Sequence, residues 1–174
     1  MFEHLKPTPI TINLEINNNV INLISYLNPK DTKEESVADV IESMVDYEIL
    51  SGGVSKDIES RDPIIPVSIG INRNTYKYLK ELEAEFSTSV NDIVNSNLAV
   101  AISELKRSFR GILESVIPDL DDEINETFGI NSVSDNINIL ELNNLLSSVD
   151  IDDDYDDNGD CCANTENRSL KTIR

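Results

Sequence analysis

The 174-residue sequence has few of the side chains on which most enzyme and metal sites depend. It contains one histidine, no tryptophan and two cysteines, which are adjacent at positions 161 and 162. A histidine-based catalytic triad, a Cys/His zinc site and a disulfide framework are therefore excluded. We expect no catalytic residue, no metal ligand and no cofactor, and hence a protein that is not an enzyme.

Long apolar runs are missing as well. No stretch approaches the roughly 18 apolar residues that a membrane span needs, and the opening residues MFEHLKPTPI lack the basic-then-apolar order of a signal peptide. We therefore expect a cytoplasmic protein with no membrane partner.

Bases are scarce and unevenly placed. The chain has 33 acids and 14 bases, which give a formal net charge of −19. Residues 111–167 contain sixteen acids and no base, whereas residues 66–110 contain six bases and five acids. Because affinity for phosphate comes mainly from lysine and arginine, only the middle of the chain is electrically suited to meet nucleic acid.

Two parts of the sequence are related to each other. Residues 10–27 (ITINLEINNNVINLISYL) align with residues 66–82 (PVSIGINRNTYKYLKEL) at an offset of 55, and SVADVI at 36–41 aligns with SVNDIV at 89–94 at an offset of 53. Apolar and polar residues alternate at the start of each part, which predicts a half-buried strand. Helical spacing follows twice, with asparagines available as N-caps, so each part is predicted to be strand, helix, helix.

In order and spacing these two units resemble the ribbon-helix-helix family, in which two such units pair their strands into an antiparallel ribbon that enters the DNA major groove. The resemblance implies an α+β, mostly α fold in which tandem units of one chain pair as an intramolecular pseudo-dimer. We expect the following organisation: a first unit at 8–51, a linker at 52–65, a second unit at 66–117, an acidic helical extension at 118–149 and a disordered acidic tail at 150–174.

The C-terminal region is predicted to contain one amphipathic helix and one solvated run of acids. Residues 134–149 place Ile139, Leu142, Leu146 and Val149 on one side of a helix. The run from Asp154 to Gly159 is similar to the start of a calcium-binding loop, but the twelfth position, which should be an acid, is Thr165.

The resemblance implies that the outward residues of the two strands read bases. These residues are Thr11, Asn13, Glu15, Ser68 and Gly70. None of them is an arginine or a lysine, and Glu15 repels phosphate, so the strand face is poorly charged for DNA.

The resemblance also implies that a phosphate is held at the N-terminus of each second helix, near Ser36 and Ser89. Arg73, Lys77 and Lys80, on the first helix of the second unit, are further candidates for phosphate contacts. The acids at 34–35 oppose a phosphate beside Ser36, and the glutamates at 81, 83 and 85 offer the lysines helical ion pairs instead.

Two functions from different classes follow. The first is a transcriptional regulator that binds double-stranded DNA and whose acidic tail tunes DNA affinity. The second is an interaction protein, similar to an antitoxin or an inhibitor, that keeps the same fold and binds a basic protein partner through its acidic surface. Self-association of pseudo-dimers is compatible with either.

Overall fold

The computed structural model describes residues 8–52, 63–114, 126–129 and 138–151. Its elements, in chain order, are β1 (Ile10–Asn17), α1 (Asn18–Leu27), α2 (Lys33–Asp46), β2 (Ile64–Ile71), α3 (Arg73–Phe86), α4 (Val90–Glu114) and α5 (Ile139–Ser148). A single helical turn lies at 126–128. The prediction of a mostly helical α+β fold is confirmed.

β1 and β2 form a two-stranded antiparallel sheet. Ile10 lies opposite Ile71, and Asn17 lies opposite Ile64. Both strands are longer than the alternating pattern predicted, because pairing continues wherever the backbone groups of one strand find a partner in the other. The last two residues of the predicted linker, 64 and 65, therefore belong to β2, while residues 53–62 lie outside the described part of the chain.

Polar side chains cap the N-termini of α1, α2 and α3. The Oδ1 atom of Asn17 accepts a hydrogen bond from the Asn19 N–H (2.8 Å), and that of Asn72 accepts one from the Thr75 N–H (2.9 Å). Thr32 does the same for the start of α2, where its hydroxyl accepts from the Glu35 N–H (3.1 Å). These bonds satisfy amides that no carbonyl within the helix can reach.

The hydrophobic core lies between the inner face of the sheet and the helices. Each strand contributes its inward-facing residues, and α1, α2 and α4 contribute most of the remainder. Burying one such aliphatic side chain contributes about 1.5–3 kcal/mol relative to leaving it in water. The fully buried strand residues are Leu14, Ile16, Ile69 and Ile71.

The C-terminal helix α5 completes this core by packing against α1 and α4. It runs antiparallel to α1, since Asn19 Nδ2 donates to the Ser148 carbonyl (2.9 Å) and the Tyr26 hydroxyl accepts from the Asn138 N–H (2.6 Å). The predicted apolar side is buried at three positions, Leu142, Leu146 and Val149.

The fourth residue predicted on that side, Ile139, is not buried: it is 52% exposed, so the prediction is wrong at this position. It is the first residue of α5 and lies next to the Tyr26 contact, close to the end of α1 at Leu27, so no further turn of α1 remains to cover it. The part of the predicted helix at 134–137 lies outside the described residues. None of the described helices is long and apolar enough to cross a membrane.

Candidate nucleic-acid interface

The outer face of the sheet carries the five strand residues that were predicted to read bases. Thr11, Asn13, Glu15, Ser68 and Gly70 are all exposed, because side chains alternate along a strand and their neighbours face the core. In the register of the sheet, Thr11 lies opposite Gly70, Asn13 opposite Ser68 and Glu15 opposite Pro66. We call this surface the ribbon face.

A hydrogen-bonded polar pair occupies the centre of the ribbon face. The Ser68 hydroxyl donates to Asn13 Oδ1 across the two strands (2.7 Å). Within the described residues, the Asn13 amide nitrogen makes no hydrogen bond, and the hydroxyl oxygen keeps its acceptor capacity. The pair therefore offers both donors and acceptors to a ligand that approaches the sheet from outside.

The two ends of the ribbon face differ. At one end Pro9 lies close to Gly70, where an added Cβ would be 3.2 Å from the proline Cβ. At the other end Glu15 supplies a carboxylate, and α4 holds the backbone of the same residue: the Glu15 N–H donates to Asn91 Oδ1 (2.8 Å), and Asn95 Nδ2 donates to the Glu15 carbonyl (2.9 Å). The face thus carries one negative charge and no cation.

Ser36 does not lie at a helix N-terminus, contrary to the prediction. α2 begins at Lys33 and is capped by Thr32, so Ser36 falls one turn inside the helix, where it is 1% exposed. Its N–H and its hydroxyl both donate to the Thr32 carbonyl (3.1 and 3.2 Å). It is therefore unavailable to a phosphate, and the exposed acids Glu34 and Glu35 occupy the first turn instead.

Ser89 lies at the N-terminus of α4 and is exposed, but carboxylates of the same chain surround it. Its hydroxyl accepts from the Asp92 N–H (3.1 Å) and donates to Asp92 Oδ2 (2.6 Å). The Val90 N–H donates to Glu83 Oε1 (3.3 Å). Because these acids already satisfy the amides and the helix dipole, a phosphate would have to displace Glu83 and meet the charge of Asp92.

The cations of α3 are exposed, and two of the three form ion pairs. Lys77 Nζ lies 3.5 Å from Glu81 Oε1, and Lys80 Nζ hydrogen-bonds Glu83. The bond to Glu83 raises the pKa of Lys80, and the same bond lowers the pKa of Glu83. Arg73, the first residue of α3, has no ion-pair partner among the described residues.

A second group of cations lies on α4. These are Lys106, Arg107 and Arg110, and the helix continues beyond them to Glu114. The Lys106 ammonium donates to the Val149 carbonyl just beyond α5, and Arg107 pairs with Glu104 (3.1 Å).

Comparisons of this chain with family models, with characterised proteins and with solved structures find no match. In the described ranges no group of three or more His, Cys, Asp or Glu side chains could hold a metal ion, and the calcium-loop-like residues 154–165 lie outside those ranges.

Proposed function

We propose that this chain is a regulator that binds double-stranded DNA, in which two tandem strand-helix-helix units pair as an intramolecular pseudo-dimer of the ribbon-helix-helix type. The observation that carries the proposal is an uncovered two-stranded antiparallel ribbon with Asn13 and Ser68 at its centre. Such a ribbon fits the major groove, where asparagine pairs with adenine and serine with several bases.

The symmetry of the strand pairing supports the pseudo-dimer. At the repeat offset of 55, Asn13 is the counterpart of Ser68, and these two residues lie opposite each other. A twofold axis through this pair would exchange β1 with β2, and it would also relate Asn17 to Asn72, which cap the helices that follow.

The starts of the second helices fit the same symmetry once the alignment is revised. Thr32 caps α2 and Ser89 lies in the equivalent place before α4, which gives an offset of 57 instead of the 53 read from SVADVI and SVNDIV. α3 is four residues longer than α1, and the connection after it is two residues shorter. With this offset, the buried residues Val37 and Ile41 correspond to the buried residues Val94 and Leu98.

Charge limits the affinity that this interface can reach. Each phosphate contact contributes about −0.9 to the slope of log K against log salt, and Arg73 is the cation of α3 without a partner in the described chain. We therefore expect weak binding with a shallow salt dependence, and recognition that rests on hydrogen bonds to bases.

The acids at the second helices favour a second candidate function. Glu34 and Glu35 lie in the first turn of α2, and Glu83 and Asp92 lie at the start of α4, so both positions where the ribbon-helix-helix family holds phosphate are negative. A basic protein would be attracted where DNA is repelled. On this alternative the chain is an interaction protein that uses the same fold.

Fluorescence anisotropy of labelled genomic DNA fragments, titrated with the full chain at about 50 and about 200 mM salt, tests the proposal. We expect saturable binding that weakens with salt and is lost in the double variant Asn13→Ala, Ser68→Ala. The control is Asn144→Ala, which removes an exposed asparagine side chain from α5, outside the ribbon face. Absence of binding to every fragment, together with retention of a basic protein at physiological salt, would favour the second candidate.

A further inference from the structure

One edge of the ribbon has backbone groups that face away from the other strand. In an antiparallel pair, alternate residues direct their N–H and carbonyl groups outward. The Asn18 N–H donates to the Pro63 carbonyl (3.1 Å) in the register of the sheet, so even-numbered residues of β1 bond across the ribbon. In the second half of β2 the outward residues are therefore Pro66, Ser68 and Gly70, and we call their outward backbone groups the β2 edge.

The same edge of β1 is closed by α4. The N–H and the carbonyl of Glu15 both point outward, and Asn91 and Asn95 bond them. At the offset of 57, these asparagines correspond to Glu34 and Ala38 of α2, and neither bonds β2 within the described chain. Ala38 has no side-chain group that could do so. This correspondence rests on the proposed pseudo-dimer, whereas the outward direction of the β2 groups does not.

The β2 edge is accessible. Pro66, Ser68 and Gly70 are exposed, and Gly70 exposes only backbone because it has no side chain. No described residue bonds the outward N–H or carbonyl of Ser68 or Gly70. The stretch from Pro66 to Gly70 is about 14 Å long at the rise of an antiparallel strand, which matches a short strand. An edge of this kind can pair with a further strand.

The charge beside the β2 edge indicates which strand would bind there. α2 packs against β2 and has five acids and one base, whereas α4, which closes the β1 edge, has three of each. The Glu42 carboxylate of α2 accepts from the N–H of Asn72, the next outward residue after Gly70, so α2 reaches this edge. A strand with basic side chains would meet opposite charge. A second copy of this chain, whose net charge is −19, would be repelled.

We infer that the β2 edge binds an extended segment of a basic protein, which adds to β2 as a third strand. Main-chain hydrogen bonds to Ser68 and Gly70 give the affinity, and the acids of α2 favour basic side chains. Strand addition itself requires no DNA. Its regulatory consequence rests on the proposed function: the major groove admits a two-stranded ribbon, so a chain that holds a third strand is excluded from it.

Amide hydrogen exchange in the full chain tests the open edge. We expect the amides of Ser68 and Gly70 to exchange at least about tenfold faster than the outward amides of Glu15 and Asn72, which are hydrogen-bonded. Protection of Ser68 and Gly70 in the dilute free chain would mean that another part of the chain occupies the edge. Protection that grows with protein concentration would mean that a second copy does. Either result would overturn the inference.

A short peptide of alternating lysine and threonine, with both ends blocked, is the probe for the basic strand. Threonine favours the extended conformation, and lysine supplies the charge. Saturation with the peptide should slow exchange at Ser68 and Gly70 by at least about tenfold and leave Thr11 and Asn13, on the edge of β1, unchanged. Slower exchange at Thr11 and Asn13 alone, or no binding, would contradict the assignment to β2.

Two N-methylated forms of the peptide distinguish strand addition from attraction between charges. One has methyl groups on its lysine amides and the other on its threonine amides, so their charges are equal. Because a strand directs alternate amides to one side, one form should lose binding and the other should keep it. Equal binding by both forms would mean that charge alone holds the peptide, and the inference would fail.

Proline substitution locates the site on the chain. Ser68→Pro removes an outward N–H of β2, and Pro66 shows that this edge accommodates proline. The matched control Asn13→Pro removes an outward N–H of β1, and both variants lose the hydrogen bond between Asn13 and Ser68. We expect Ser68→Pro to weaken peptide binding by about tenfold and Asn13→Pro to preserve it. Equal affinities of the two variants would place the peptide elsewhere and overturn the inference.

The inference and the proposed function can fail separately. Peptide binding at the β2 edge by a chain that binds no DNA fragment would retain the inference and refute the proposed function. DNA binding by a chain that binds no peptide would do the reverse.

Discussion

α1 and α3 both follow a strand and a capping asparagine, yet they differ in charge and in burial. α1 has ten residues with no charged side chain, and five of them are buried: Val20, Ile21, Leu23, Ile24 and Leu27. α3 has fourteen residues, six of which are charged, and three are buried: Thr75, Leu79 and Leu82. The difference arises because α5 packs on α1, whereas α3 keeps a broad face in solvent.

This difference also explains the unequal charge of the two units. Residues 8–52 contain eight acids and two bases, whereas residues 63–114 contain six of each. In the first unit seven of the acids lie on α2 or in the segments next to it, because a covered helix such as α1 cannot carry charge. The distribution of charge in each unit therefore reports which of its helices is enclosed.

Removing the cover from α1 has the largest expected effect. Leu142→Ala truncates a fully buried side chain of α5 and should lower the free energy of unfolding by about 2–5 kcal/mol, measured by urea denaturation. Leu140→Ala, on the same helix but 69% exposed, is the matched control and should change it by less than about 0.5 kcal/mol. Equal effects from the two would contradict the packing of α5.

An increase in the free energy of unfolding is expected from a substitution at the core position where α3 has a polar residue and α1 an apolar one. Thr75 is the counterpart of Val20; both are buried, but Thr75 Oγ1 has no hydrogen-bond partner among the described residues. Thr75→Val should raise the free energy of unfolding by about 1–3 kcal/mol, the cost of an unbonded buried hydroxyl. Thr75→Ser keeps the hydroxyl and loses the methyl, so it should destabilise; a Val variant less stable than the parent would mean that the hydroxyl is hydrogen-bonded.

The helix starts should respond alike in the two units. Thr32→Ala and Ser89→Ala each remove a hydroxyl that accepts from a first-turn amide, and each should cost about 1 kcal/mol in urea denaturation. Thr32→Ser keeps the acceptor and serves as the control. If only one of the two alanine variants lost stability, the proposed equivalence of Thr32 and Ser89 would fail.

The smallest effect concerns Glu83, which joins α3 to the start of α4. Its pKa is lowered, first by the hydrogen bond from Lys80 and then by that from the Val90 N–H. The contribution of Glu83 to stability is therefore present above the pKa of the unfolded carboxyl and is lost as the pH falls through the lower folded value.

Glu83→Gln should accordingly reduce stability at about pH 7 and leave it unchanged at about pH 2. Thermal unfolding at the two pH values measures the difference. Glu81→Gln, whose partner Lys77 is more exposed, is the control and should show a weaker dependence. An equal loss at both pH values would contradict the assigned role of the carboxylate.

Local features were predictable from the residues. By contrast, aligning similar stretches of the two units placed one candidate residue wrongly. The alternation of apolar residues located both strands, and the capping asparagines located α1 and α3. Ser36 was misplaced because the match of SVADVI to SVNDIV made it the counterpart of Ser89, whereas the residue that caps α2 is Thr32. A helix begins where a side chain reaches its free amides, and Thr32 does so one turn earlier.

Long-range contacts explain most of what the sequence did not reveal. The absence of charge in α1 was a readable sign that a further element covers it. By contrast, Asn91 and Asn95 hydrogen-bond the backbone of Glu15 from 76 and 80 residues away. No local sequence pattern predicts such a pairing. The carboxylates at the start of α4 were predictable in part, since Asp92 lies three residues after Ser89 in the sequence.

The pairing of β1 with β2 joins two strands of one polypeptide. Formation of the ribbon is therefore unimolecular, and dilution does not dissociate it as it would a ribbon shared between separate subunits. The two ends of the ribbon face can also carry different side chains, as the pairs Glu15–Pro66 and Thr11–Gly70 illustrate. A target recognised by this face need not be palindromic.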